Sequence, residues 1–377
     1  MSTAPDARPT WADVDLGAFR RNVDAVARML PDGSRLVAVL KANAYGHGAI
    51  EVARACDSAR VAMIATALLE ESLALRNAGI TLPLLVFGPQ SEAGIRSAMD
   101  HDIVVGIIGP EELAAAVNVA RGRDVVVHIK LDSGMNRMGL TSADLGAARD
   151  LIRSASRLKV AAIYTHFANA GDPDDPFTRT QIETFHAMRT ALGIDAPLHH
   201  AANSAATVRG LVEPGDFVRC GIVLYGADPL DRCRTGDLAC PGQAGLPVLQ
   251  PVLRWRTEIA RLKTVPPGAG IGYGTTFHTT RESRIATLPV GYADGYDRLL
   301  SNRGEVVVRG VRAPVVGRVS MDLVTIDVTD VPNAALGDEV VLLGDELRVE
   351  EHAAWTGTIA YEVFCRISAR VPRFYRS

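Results

Sequence analysis

Arg35-Leu-Val-Ala-Val-Leu-Lys-Ala-Asn-Ala-Tyr-Gly-His-Gly48 runs an unbroken apolar stretch, Leu36 to Leu40, into a lysine and then a glycine-punctuated turn. An apolar run with no polar alternation reads as a strand shielded on both faces, the pattern of a parallel sheet covered by helices. Seven more such runs follow: Val61–Ala65, Leu82–Phe87, Ile103–Ile107, Val125–Ile129, Val160–Tyr164, Leu198–Ala202 and Phe217–Leu224. Segments of helical period are interspersed with them, as in Phe19, Val23, Val26, Met29 and Leu30 on one face. Eight strand–helix units in about 230 residues match an α/β fold of the (β/α)8 TIM-like barrel type, with a doubly wound open sheet as the alternative.

The pattern changes near residue 230. Pro229, Gly236, Pro241, Gly242, Gly245 and Pro247 break any regular element and read as a linker. Beyond them the period becomes two, in Leu253–Val265, Arg284–Val290, Glu305–Val308, Ala313–Val319, Leu323–Val328 and Glu339–Leu343. The expected division is a barrel over residues 12–240 and a mainly β C-terminal domain over 241–377, with residues 1–11 packing against the latter.

Composition narrows the function. The 377 residues carry 22% charged side chains and a formal net charge of -3, so no basic excess points to nucleic acid. No apolar run approaches the roughly 18 residues of a membrane span, and Met1–Thr10 lacks the order of a secretory signal; a cytoplasmic location is expected. The five cysteines and the scattered histidines show no metal-ligand spacing, so no metal is expected. Cys233 and Cys240 are close enough to pair, but free thiols are the expectation in a reducing compartment.

Functional side chains of a parallel barrel gather at the C-terminal ends of its strands. The first strand ends on Lys41, and a lysine closing a buried run is the residue type that condenses with the aldehyde of pyridoxal phosphate. Tyr45, Gly46 and Gly48 would offer a hydroxyl and close backbone approach to an anion. Later strand ends supply Lys130, Arg137, His166 and Arg219, while Ser204 with the amides of Gly221 and Ile222 suits a phosphate after strands seven and eight. In the C-terminal third, Tyr273 lies between glycines in Gly272-Tyr-Gly274.

These motifs resemble the alanine racemase family over almost the whole chain. The resemblance is carried by Lys41-Ala-Asn-Ala-Tyr-Gly-His-Gly48, Lys130-Leu-Asp-Ser-Gly-Met-Asn-Arg-Met-Gly139, Tyr164-Thr-His-Phe167 and Ala202-Asn-Ser204. Arg219–Gly226, Gly272-Tyr-Gly274, Leu288-Pro-Val-Gly-Tyr-Ala-Asp-Gly295, Arg318–Asp322 and Tyr361-Glu362 fall in the same order. It implies pyridoxal 5'-phosphate as cofactor, alanine as substrate, D-alanine for peptidoglycan as product, and a head-to-tail homodimer with shared active sites. It further implies Lys41 and the partner's Tyr273 as the two bases. Arg219 would face the pyridine nitrogen, with His166 orienting it. Tyr45, Ser204, Gly221, Ile222 and Tyr361 would hold phosphate. Arg137 and Met321 would hold the substrate carboxylate, and Lys130 would be a candidate for carbamylation. The alternatives are a serine, lysine or broad-specificity racemase and a cofactor-binding homologue without turnover. The segment Asp231–Gln250 departs from the family's usual linker.

Overall fold

A computed structural model describes residues 8–230 and 248–377 of the chain. The first strand, β1 (Thr10–Asp15), leads into the helix Leu16–Ala27, which starts where the Asp15 carboxylate accepts the Ala18 amide at 2.7 Å. Phe19, Val23 and Val26 bury the face that their spacing predicts. Eight strands follow: β2 (Arg35–Val39), β3 (Val61–Thr66), β4 (Leu84–Val86), β5 (Ile103–Ile107), β6 (Val125–Lys130), β7 (Leu158–Tyr164), β8 (Leu198–His200) and β9 (Phe217–Cys220). Each neighbouring pair from β2 to β8 is parallel, and β9 returns to pair in parallel with β2. The barrel closes between β8 and β9 through a bridge from Asn203 to Arg219, whose amide donates to the Ala202 carbonyl at 2.9 Å. That closure sets two polar residues at the barrel mouth. Val37, Leu85, Val105, Val127 and Ile129 are fully shielded, as strands covered on both faces require.

The C-terminal half is mainly β. A six-stranded sheet runs in the order Val311–Pro314, Glu305–Val308, Glu339–Leu343, β10 (Leu253–Glu258), β1, Arg373–Arg376. Leu253, Trp255 and Thr257 turn inward in β10 while their neighbours stay half-exposed, which is the period of two. A three-stranded sheet joins Arg261–Val265, Ser283–Leu288 and Val324–Asp327. The start of the barrel at residue 12 is corrected: β1 lies between β10 and the last strand, so residues 10–15 belong to this sheet. Asp13 explains the attachment, since its buried carboxylate pairs with Arg256 of β10 and, at 2.7 Å, with Arg376 of the final strand. Two helices, Val349–Thr356 and Ala360–Arg366, were not anticipated.

The expected boundary at 240/241, most of the linker, and Cys233 and Cys240 lie outside the described residues. Cys56, Cys220 and Cys365 are free thiols. Among the described residues no helix is long and apolar enough to cross a membrane, and no group of three or more His, Cys, Asp or Glu is placed to hold a metal ion.

Candidate active site

A pocket of about 420 Å³ opens at the C-terminal ends of the barrel strands, under the helix Ala360–Arg366. Lys41, Lys130, Arg137 and Arg219 line it, and no carboxylate does among the described residues. Such an acid-free basic lining is a site for an anion. Loss of water and then the Arg137 charge draw the Lys41 amine below its usual pKa, against the opposing pull of Cys365 and Glu71. Lys130, buried, is brought down to about 8 by burial and by Arg137 and Arg219, with Asp132 opposing.

The chain leaves Lys41 through a turn of left-handed helix. Ala42, Asn43, Ala44 and Tyr45 have φ of 52°, 54°, 54° and 51°. A left-handed residue with a Cβ costs roughly 1–2 kcal/mol, so the turn must be held from outside. The Glu71 carboxylate accepts the Ala42 amide at 2.6 Å, and the Asn43 side chain accepts the Ala49 amide at 2.8 Å. The His47 ring, neutral because burial lowers its pKa to about 4, meets the Ala44 and Tyr45 carbonyls. Gly46 and Gly48 do not approach the pocket anion as expected. A Cβ on Gly46 would come within 2.5 Å of the Phe364 carbonyl, and one on Gly48 would overlap the Tyr375 hydroxyl. Their role is to let the C-terminal unit lie against the turn.

Arg219, 4% exposed, spans the pocket floor. Its Nη1 donates to His200 Nδ1 at 2.8 Å and to the His200 carbonyl at 2.6 Å. Its Nη2 donates to the Thr165 and Ala201 carbonyls at 2.6 and 3.0 Å and to His166 Nδ1 at 3.1 Å. A guanidinium has only donors and no acceptor, so both histidines must present an unprotonated Nδ1 to it. Burial, then the Arg219 charge, holds each well below the usual histidine pKa. The Arg219 Nε–H makes no hydrogen bond among the described residues and remains for a ligand. Burial lowers the guanidinium only to about 10, so it stays charged near neutrality.

Across the pocket, the Ser204 hydroxyl accepts the Gly221 amide at 2.9 Å, and the Tyr45 ring lies 5.8 Å from that of Tyr361. A Cβ on Gly221 would overlap the Tyr45 hydroxyl and come within 2.9 Å of its Cζ, so only glycine allows this approach. Ile222, fully buried, follows directly and begins the turn Ile222–Tyr225.

The structure thus brings Lys41, Tyr45, Lys130, Arg137, His166, Ser204, Arg219, Gly221 and Tyr361 into one pocket. Tyr273 and Met321 are not in its lining; they stand 70% and 53% exposed on the C-terminal unit. The sequence reading gave no role to Tyr164, Asn203 or His200. Tyr164 stacks on His200 at 4.6 Å and lies 5.6 Å beneath the Arg219 guanidinium, while Asn203 caps the helix Ser204–Val208. Their signal was position: all three sit at strand ends, beside residues already singled out.

The site thus combines a closed barrel with a lysine at one strand end, histidines around a buried arginine, and a mainly β C-terminal unit. The family profile described as "Alanine racemase, N-terminal domain" matches residues 14–229, and "Alanine racemase, C-terminal domain" matches residues 252–375. The alanine racemase of Halothermothrix orenii is 42% identical, covering 98% of this chain and 97% of its own length. That of Desulfovibrio desulfuricans is 40% identical, covering 98% of both. The solved alanine racemase of D-cycloserine-producing Streptomyces lavendulae superposes with a TM-score of 0.90 at 36% identity, covering 100% of this chain and 98% of that one. That of Bacillus anthracis with bound L-Ala-P gives 0.88 at 37%, covering 99% and 96%. The chain belongs to the alanine racemase family.

Proposed function

We propose that this chain interconverts L-alanine and D-alanine in the cytoplasm, with pyridoxal 5'-phosphate carried on Lys41, and supplies D-alanine for peptidoglycan. The observation that carries this is a lysine and a glycine–serine cradle in one acid-free basic pocket, with Arg219 between neutral histidines on its floor. The residues fit the cofactor. Tyr45, Ser204, Tyr361 and the amides of Gly221 and Ile222 would hold its phosphate, and the free Nε–H of Arg219 would face its ring nitrogen.

When bound, the cofactor withdraws electrons from the substrate Cα and makes its C–H acidic. Arg219 keeps its own proton and so gives the ring nitrogen a hydrogen bond without a transferable proton. His166 orients it. Arg137 and the Met321 amide would hold the substrate carboxylate. Lys41 moves the proton on one face of Cα. Racemisation needs a second carrier on the opposite face, because one base would mostly return its own proton.

Tyr273 of the partner subunit is that second base. Support for a homodimer comes from the face on which it stands. Tyr273, Met321, Leu299, Leu323 and Tyr292 are large apolar residues left exposed, a face that a second copy would cover. Lys130, with its pKa near 8, keeps enough neutral amine to take up carbon dioxide as a carbamate, which would give Arg137 an anionic partner.

The test is a chiral amino-acid assay on purified protein, with the bound chromophore recorded on the same sample. Alanine interconverted much faster than serine or lysine is expected. A chromophore without turnover would make this a binding homologue, and no chromophore after adding cofactor would remove Lys41 from its role.

A further inference from the structure

Two buried histidines lie behind Arg219, one in direct contact with it and one beyond, and the chemistry above gives His128 no part. His200 and His128 are 0% and 1% exposed, neither lines the pocket, and His200 Nε2 lies 2.9 Å from His128 Nδ1. The Arg219 guanidinium can only donate, so His200 Nδ1, at 2.8 Å from Nη1, must present a lone pair. The proton of neutral His200 is then on Nε2, aimed at His128 Nδ1, which must accept it. The Tyr164 ring, parallel to His200 at 4.6 Å and 8°, fixes the plane of the imidazole but has no say in where its proton sits. In the other tautomer an Nδ1–H would confront the Arg219 N–H.

We infer that His128 is a positioning residue for Arg219: by accepting the His200 Nε2–H it selects the tautomer whose Nδ1 can hold the guanidinium. Its effect on catalysis rests on the proposed placement of Arg219 at the cofactor ring nitrogen. His128 touches neither cofactor nor substrate. Without it, His200 has a buried donor with no acceptor in one tautomer and a donor–donor clash with Arg219 in the other.

The experiment compares wild-type holoenzyme with His128→Phe, which keeps a ring and loses the acceptor, and His128→Asn, whose amide oxygen sits where Nδ1 was. In the wild type, histidine ¹⁵N spectra should show His200 neutral with its proton on Nε2. A lost hydrogen bond to the grip on a charged group predicts roughly a tenfold fall in kcat for His128→Phe, with KM for alanine within about twofold. The bound-cofactor absorbance should shift as well, and His128→Asn should recover both. A wild-type His200 protonated on Nδ1, or doubly protonated, overturns the inference. So does a His128→Asn enzyme as impaired as His128→Phe, or a His128→Phe enzyme that matches wild type. Should the phenylalanine variant not fold, the wild-type spectra and His128→Asn decide alone. A wild-type protein without racemisation would defeat the proposed function, while its histidine spectra still judge the tautomer.

Discussion

Replacing Glu71 by glutamine should loosen the turn that carries Lys41. One carboxylate gathers three backbone donors: Oε1 accepts the Ala42 amide at 2.6 Å, and Oε2 accepts those of Ala67 and Leu68 at 2.9 and 3.1 Å. Glutamine has one acceptor oxygen, so its amide group must face either Ala42 or the Ala67–Leu68 pair, donor against donor. A hydrogen bond to a charged group contributes about 1.5–3 kcal/mol, and Glu71 is half-buried, which favours the lower end. The four left-handed residues it restrains store roughly 4–8 kcal/mol of conformational cost, a reserve that drives the turn to relax once its anchor weakens. The expected loss is about 2 kcal/mol of stability, read as a lower urea midpoint of the cofactor-free protein. A weakening of cofactor binding by tenfold or more should accompany it, since each tenfold is about 1.4 kcal/mol. Adding Ala42→Gly should restore part of the stability, roughly 1 kcal/mol, because glycine takes the 52° φ without a Cβ clash. Glu71→Gln with wild-type midpoint and wild-type cofactor affinity would refute the anchoring role.

Gly221→Ala forces the Tyr45 ring away from the cradle; pyridoxal phosphate affinity, measured by titration, should fall about ten- to hundredfold, the range of a 1.4–3 kcal/mol overpacking cost. Tyr273→Phe should keep the yellow chromophore and lose most racemisation, and full activity in that variant would remove Tyr273 from the mechanism. Acid should destabilise the protein early. His47 and His352 have folded pKa values near 4 and His128 near 3, all set by burial. Below about 6.5 the unfolded chain takes up protons that the folded chain refuses, so stability falls as pH drops from there toward 4. Urea midpoints flat across that window would contradict the buried neutral histidines.

The eight barrel strands were legible because each is shielded on both faces, and such runs need only local composition to be seen. The polar strand ends were legible too: Lys41, His166 and Arg219 follow or interrupt apolar stretches where a lone polar group stands out. The left-handed turn was not. Ala42-Asn-Ala-Tyr45 has the composition of an ordinary right-handed turn, and its handedness is held by bonds to residues beyond it, from the Ala42 amide to Glu71, from the Asn43 side chain to Ala49 and from the Ala44 and Tyr45 carbonyls to His47. Gly46 and Gly48 misled for a related reason: glycine announces close approach without saying to what.

By itself the sequence determined the class of fold and the family, and it named candidate site residues that the fold gathers into one pocket, since these depend on periodicity and on residue identity at strand ends. Tertiary structure alone decided the membership of β1, because pairing Ala12 with Trp255 and Arg373 joins segments far apart in the chain. It also decided the protonation of the site. His128, His200 and His166 are neutral because burial strips water from them and a guanidinium stands alongside, and no local pattern encodes which imidazole nitrogen an arginine will reach.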